Sequence, residues 1–430
     1  MISTLIIVVF VVGYLAIALE HPIKIDKAAS ALLTGVGCWA LYAFTGVAHE
    51  TVEHGLLHHV YEISSILFFL MGAMTVVELV DAHEGFAVIT DKITTNNKVK
   101  LLWIISFITF FLSAALDNLT TSIVMVSLLR KLVQDKPTRW LYVGVVVIAA
   151  NAGGAWSPIG DVTTTMLWTG QQLPDVGAFM MNLILPSLVC VLVPLLVLSF
   201  SMKGNLQNAI VSVDDEHKVE PTSRFERNLI FFVGIGGLIF VPIFKTITHL
   251  PPFMGMMFSL AAIWIATEII HRKKNHEEKG RYSVVSTLQR IDTASVLFFL
   301  GILLAVASLQ EVGHLKTLAQ LLNDTLGNIY IINVAIGLLS SIIDNVPLVA
   351  AAQGMYDVAP VGDFAANGQF WQFLAYCAGT GGSCLIIGSA AGVAVMGLEK
   401  IDFVWYLKKI SWLALIGYFA GAAVYVLLHV

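Results

Sequence analysis

Two carboxylates in apolar surroundings, each followed by a carboxamide, are the first residues of this 430-residue chain that could do chemistry. Asp117 and Asn118 lie in SAALDNLTT (113–121), and Asp344 and Asn345 lie in SSIIDNVP (340–347). An ionisable side chain at bilayer depth is costly, so its default reading is functional. The plainer role is to cap the helix that follows, which is ordinary chemistry for Asp. Recurrence in both stretches, with Asn next each time, favours a shared site that capping can accompany.

Two glycine-rich stretches add polar groups. NAGGAWSPIGDVTTT (151–165) carries Asn151, Ser157, Asp161, Thr163 and Thr164, and GTGGSCLIIGSA (379–390) carries Thr380, Ser383 and Ser389. Glycine pairs in a membrane either let helices pack closely or mark unwound backbone whose freed carbonyls ligate cations. The polar side chains beside them favour the second reading. Asp161 is the third deep acid, and its counterpart in the second stretch is Ser389.

No Lys or Arg lies deep in any expected span, so the deep charge is negative. Carboxylate, carboxamide, hydroxyl and carbonyl oxygens suit a hard cation such as Na⁺ or Li⁺. A soft metal would call for sulfur or imidazole. Half-helix N-termini keep an anion conceivable. A carboxylate deprived of water and cation holds a proton instead. Competition between H⁺ and Na⁺ for the same carboxylates, alternating between two faces, then suffices for exchange without a separate proton path. The expected ion- and proton-binding set is Asp117, Asn118, Asn151, Ser157, Asp161, Thr163, Thr164, Asp344, Asn345, Thr380, Ser383 and Ser389. Na⁺ is expected at Asp117, Asn118, Asn151, Asp161 and Asn345, with no resident cofactor.

The elements that position these residues follow from composition. The chain is 57% hydrophobic and 12% charged, with a mean hydropathy of +0.82, against roughly a quarter charged residues in soluble domains. These values indicate a polytopic membrane protein, and its unbroken apolar runs point to helices rather than a barrel. Spans are expected near 3–19, 28–48, 62–80, 140–168 and 179–200, then 228–245, 253–271, 293–311, 371–397 and 404–428. Between the third and fourth of each five lies a pair of short apolar arms: 101–116 with 119–133, and 328–343 with 346–356. At 1.5 Å per residue each arm reaches roughly 17–24 Å, short for a core about 30 Å thick. Re-entrant hairpins with Asp-Asn at the tip are expected over 101–133 and 328–356. Residues 140–168 and 371–397 would each be about 40 Å long as continuous helix, so both are expected to be broken.

All but Lys245 and Lys316 of the 24 basic residues fall on one side of this arrangement, which is the cytoplasmic side by the positive-inside rule. Both termini are then extracytoplasmic, and the 201–227 and 272–290 loops cytoplasmic. The segment 201–227, with Asp214, Asp215, Glu216 and Glu220, reads as a linker. An odd number of spans per half makes 1–200 and 228–430 inverted repeats. Ser65–Leu70 parallels Ser295–Leu300, and the Asp-Asn and glycine motifs recur at nearly the same offset.

Other features read as structural. Cys38, Cys190, Cys377 and Cys384 sit in apolar runs without a metal-ligand pattern. HETVEHGLLHH, with His49, His54, His58 and His59, is expected to be a solvated loop, with pH sensing or metal binding as the alternatives. Glu78, with Asp81 and Glu84 after it, marks the interface or attracts cations. The lipid bilayer, Na⁺ and H⁺ are the expected partners, and no nucleic acid is.

The SAALDNLTT, NAGGAWSPIGDVTTT, SSIIDNVP and GTGG…GSA stretches together resemble those of the NhaD-type Na⁺/H⁺ antiporters of the ion transporter superfamily, a likeness covering about 60–428. The resemblance implies inverted repeats with re-entrant hairpins and broken helices, a scaffold and a mobile transport domain, a homodimer, and a cell (inner) membrane location. Carried over, it points to Asp117, Asn118, Asn151, Asp161, Thr163 and Thr164, and to Asn345, Ser383 and Ser389. Related dicarboxylate carriers resemble one another in a neutral Ser-Asn-Thr hairpin tip. The Asp-Asn-Leu and Asp-Asn-Val tips here depart from that and favour a cation. A Na⁺-coupled carboxylate or arsenite carrier is the alternative. An intramembrane aspartyl protease is disfavoured because the Gly-x-Gly-Asp motif of such enzymes is absent, so no enzymatic activity is expected.

Overall fold

In a computed structural model, residues 2–90, 93, 95–202, 204–206, 223–273 and 282–429 are described. Most of the 201–227 linker, including Asp214, Asp215, Glu216 and Glu220, lies outside the described residues, as does 274–281 of the 272–290 loop. Helices account for nearly all of the regular structure, and among the described residues only two isolated β-bridges occur.

The chain begins with α1 (Ile2–Ala18), α2 (Lys27–Ala43) and α3 (His49–Ala82). Two helices, α4 (Lys98–Ala115) and α5 (Asn118–Leu132), then meet at Asp117. They are followed by α6 (Lys136–Ala155), α7 (Val162–Thr169) and α8 (Val176–Ser201). A comparable succession recurs: α9 (Arg224–Thr248), α10 (Pro252–Ile270), α11 (Thr293–Glu311), α12 (His314–Leu326), α13 (Ile329–Leu339) and α14 (Asn345–Met355). The chain closes with α15 (Gln369–Gly381), α16 (Ala390–Glu399) and α17 (Trp412–His429).

Among the described residues, seven helices are long and apolar enough to cross a membrane, or up to eight if the bent α12–α13 pair is one span. The sequence pointed to ten spans. The difference lies partly in the two helices interrupted between Ala155 and Val162 and between Gly381 and Ala390. It lies also in α1 and α2, whose 17 residues reach only about 25 Å, while α4, expected as a hairpin arm, is itself long and apolar enough to be counted.

Two expectations are corrected. Residues 49–59 are not a loop, because α3 runs unbroken for 34 residues from His49. Nothing in HETVEHGLLHH blocks a helix, and Gly55 lets α3 approach Glu311 of α11. His59 is buried there, with Nε2 3.0 Å from the Glu311 carboxylate. The second departure is α12, which sits at 116° to α13 where sequence reading saw only a connection. Its Leu315 and Ala319 are buried while Leu318 and Leu321 are exposed, the one-sided pattern of a surface-lying helix.

The core centres on α6 and α15, in which every residue from Tyr142 to Ala155 and from Phe370 to Gly381 is buried. Small residues permit this. A methyl on Gly160 would stand 2.8 Å from the Ser113 carbonyl oxygen, and one on Gly388 would stand 2.5 Å from that of Ser341. Each helix break is thereby pressed against the end of a neighbouring short-helix pair.

Polar contacts gather at opposite ends of the bundle. At one end, Arg130 and Arg139 both donate to Glu399, Lys98 N donates to the Gly204 carbonyl, and Tyr142 Oη to that of Lys98. At the other, Gln353 donates to Gln172 at 2.9 Å, Asn182 to Gln372 at 2.9 Å, and Lys316 pairs with Asp357.

Candidate functional site

Four helix N-termini carry the residues singled out by sequence. Asp117 caps α5, Asp161 caps α7, Asp344 caps α14 and Ser389 caps α16, each accepting a backbone N–H from the first turn of its own helix. The orphan amides of a helix start make Asp and Ser favoured there. The positive dipole ends place favourable potential on the three carboxylates.

The caps are not equivalent. Asp117 is turned wholly toward its own helix, accepting Thr120 N through Oδ1 and Thr120 Oγ1 through Oδ2, both at 2.7 Å. Asp344 accepts Val346 N at 3.1 Å. Both are half-buried. Asp161 is 2% exposed and gathers donors from three places. Thr163 contributes its backbone N and Oγ1, each 2.9 Å from Oδ1. Asn118 Nδ2 donates to Oδ2 at 2.6 Å, and Asn345 Nδ2 donates to the same oxygen at 3.2 Å.

The network continues beyond the carboxylate. Asn118 Nδ2 also reaches Asn151 Oδ1 at 3.0 Å, and Asn151 Nδ2 donates to Ser389 Oγ at 3.0 Å. Asn118, Asn151, Asp161, Asn345 and Ser389 are all buried. One connected chain, Ser389–Asn151–Asn118–Asp161–Asn345, therefore joins both Asp-Asn motifs to both helix breaks. Asp161 is its only charged member.

Other expected residues stand aside from it. Ser157 Oγ donates to the Ala114 carbonyl at 2.5 Å and pins the first break to α4. Thr164 Oγ1 donates to the Asp161 carbonyl at 2.9 Å. Thr380 and Ser383 donate at 2.6 Å to carbonyls of their own segment, Tyr376 and Thr380. Thr120, which anchors Asp117, was not singled out from sequence, although a hydroxyl three residues after a capping Asp is a recognisable sign. Among the described residues, no group of three or more His, Cys, Asp or Glu side chains is placed to hold a metal ion.

The arrangement matches known proteins over most of its length. A model of the citrate transporter family, CitMHS, matches residues 6–376. The chain belongs to the citrate transporter family. Members of this family are transporters and not enzymes, and this chain is a multi-span membrane transporter. Sodium/proton antiporter 1 of Arabidopsis thaliana is 49% identical over 98% of this chain and 71% of that protein. Sodium/proton antiporter 2 of the same plant is 45% identical over 98% of each. The Na(+)/H(+) antiporter NhaD of Vibrio cholerae is 30% identical over 98% of this chain and 91% of its own length. The resemblance to NhaD-type antiporters thus extends well beyond the motifs that first suggested it. The crystal structure of the Alcanivorax borkumensis YdaH transporter aligns with 99% of this chain and 97% of that one, at a TM-score of 0.50 and 10% identity. That likeness concerns the fold alone.

Proposed function

We propose that this transporter exchanges Na⁺, and Li⁺ with it, for H⁺, with Asp161 as the carboxylate that takes cation and proton in turn. The observation that carries the reading is the convergence of Asn118 and Asn345 on Asp161. Both motifs donate to one buried carboxylate whose acceptor sites are filled by neutral groups. A carboxylate accepts on two oxygens, while an amide offers either N–H or oxygen to the same point. Rotation of the two amides would present their oxygens, with those of Asn151 and Thr163, to an ion beside Asp161. Oxygen ligands of this kind suit a hard cation. Asp117 and Asp344, a residue before each Asn, add negative field without direct coordination.

The family's name suggests citrate, and the alternative is a Na⁺-coupled carboxylate or arsenite carrier. No Lys, Arg or His side chain hydrogen-bonds to the network among the described residues, and three of its four helix N-termini are already occupied by carboxylates. An incoming tricarboxylate would meet like charge where those dipoles should receive it. The relatives named for sodium and proton support the cation reading.

We read the chain as two inverted halves, 1–200 and 228–430, joined at the cytoplasmic face by 201–227. It would work as a homodimer in the cell membrane by elevator-like or rocking alternating access. The recurring helix order supports this reading, as does the grouping of basic-side segments, Arg130, Arg139, Lys98 and Glu399, at one end of the bundle. In proteoliposomes with an imposed pH gradient, added Na⁺ should dissipate the gradient. Uptake of labelled citrate with no effect of Na⁺ on the gradient would replace exchange by the carboxylate reading.

A further inference from the structure

A cleft of about 750 Å³ opens at the end of the bundle that carries Lys245 and Lys316, the two basic residues set apart from all the others. Its walls include Met166 of α7, Ala350 and Gln353 of α14, Lys245 of α9, Ile66 of α3 and Val306 of α11. The helices α7 and α14 are those whose N-termini bear Asp161 and Asn345. Met166, which lines the cleft, lies five residues along the chain from Asp161, a helical rise of about 7.5 Å. The helices α3, α9 and α11 contribute nothing to the hydrogen-bonded network. The cleft therefore lies on the boundary between helices that carry the site and helices that do not.

Lys245 crosses that division. It is half-buried, its Nζ donates to the Trp168 carbonyl at 3.2 Å, and the ammonium lies 4.6 Å from the centre of the Trp168 ring. Trp168 is the penultimate residue of α7, fully buried and set edge-on against Phe69 of α3. A cation at a helix C-terminus is favoured by the dipole, and an ammonium over an indole face is favoured by the ring quadrupole. Helix α7 has eight residues, with a carboxylate at its first amides and this ammonium at its last carbonyls. So short a helix moves as one piece. Any displacement of α7 relative to α9 that carries Asp161 away from the cleft breaks both contacts of Lys245.

We propose that Lys245 is a latch that holds α7 in the cleft-open arrangement. It is a positioning residue that biases which face the Asp161 site opens to, and not an ion ligand. This rests on the alternating-access reading above. Because latch and ion site are the two ends of one rigid helix, their free energies are coupled, and loss of the latch lowers the population of the cleft-open state.

The test reads accessibility separately from transport. A reporter is placed by Ala350→Cys in protein whose four native cysteines are replaced by alanine or serine. Its labelling by a membrane-impermeant maleimide from the cleft side is followed in reconstituted vesicles. Lys245→Met should slow labelling about two- to fivefold and raise the cleft-side half-maximal Na⁺ concentration by a similar factor, as expected for losing a dipole contact and a cation–π contact. Lys245→Arg, which keeps both interactions, should stay close to the parent. If the methionine variant does not fold, Lys245→Gln, neutral but still able to donate to the carbonyl, gives the same comparison. Unchanged labelling in the neutral variants, or an arginine variant as impaired as methionine, overturns the latch. Labelling needs no ion movement, so absence of Na⁺/H⁺ exchange in the parent would overturn the exchange reading while the labelling still decides the latch.

Discussion

The two helix breaks are built alike and charged differently. In each, a glycine packs against the carbonyl of a neighbouring short-helix end, Gly160 on Ser113 and Gly388 on Ser341. In each, the following helix starts on an extended cap residue with similar backbone angles, Asp161 at φ −147° and Ser389 at φ −146°. The side chains at that shared position differ by a full charge. Beyond the amides of their own helices, Asp161 draws in Asn118 and Asn345, while Ser389 receives Asn151. One architecture used twice thus yields a single buried anion, reached by a carboxamide from each Asp-Asn motif.

Replacing these residues breaks the comparison by degrees. Asp161→Asn should reduce Na⁺-dependent dissipation of a pH gradient to the level of protein-free vesicles, because the amide can neither carry the counter-charge nor exchange a proton. Ser389→Ala, at the matching position, should retain most of the rate. Equal losses in the two would show that the breaks matter as structure and not as charge.

Next in size are the carboxamides. Asn118→Ala and Asn345→Ala each remove one amide oxygen that the rotated carboxamide would offer the ion. Taking a polar contact to a charged partner as worth about 1.5–3 kcal/mol, each should raise the half-maximal Na⁺ concentration on the order of 10- to 100-fold. Titrating the exchange rate with Na⁺ checks this. An effect confined to Asn118 would make the site the property of one half.

The smallest effects belong to Asp117 and Asp344. Asn caps a helix about as well as Asp, so Asp117→Asn and Asp344→Asn should fold with melting temperatures close to the parent. They should change the half-maximal Na⁺ concentration less than the Asn118 and Asn345 variants do. Complete loss of exchange in either would return those carboxylates to the centre of the site.

This ordering differs from what the sequence suggests, and the reason is local. A polar pair in an apolar run is conspicuous because of its desolvation cost, and that drew attention to Asp117 and Asn118 together. Which of the two side chains faces its own helix depends on backbone direction at the helix start. There the first residue caps and the second projects away. The cap geometry sends Asp117 to Thr120 and frees Asn118 for Asp161. The glycine breaks were legible for the same reason as the motifs, since 140–168 and 371–397 are too long and too polar at their centres to be plain spans. The helical course of 49–59 was not legible, because most of the segment is exposed and only Val52 and His59 are buried, His59 against Glu311 some 250 positions away, and spacing within the segment holds no sign of that contact. Lys245 was visible only as an exception to the charge asymmetry, and its partner is a backbone carbonyl that no pattern of side chains marks.

The central claim is that one carboxylate, Asp161, is shared by cation and proton. Initial exchange rates measured against Na⁺ concentration at a series of pH values test it most directly. Competition predicts that, on the acid side of the transition, the half-maximal Na⁺ concentration rises about tenfold for each unit by which pH falls, with the maximal rate preserved at saturating Na⁺. A half-maximal concentration independent of pH, with the maximal rate alone changing, would contradict it.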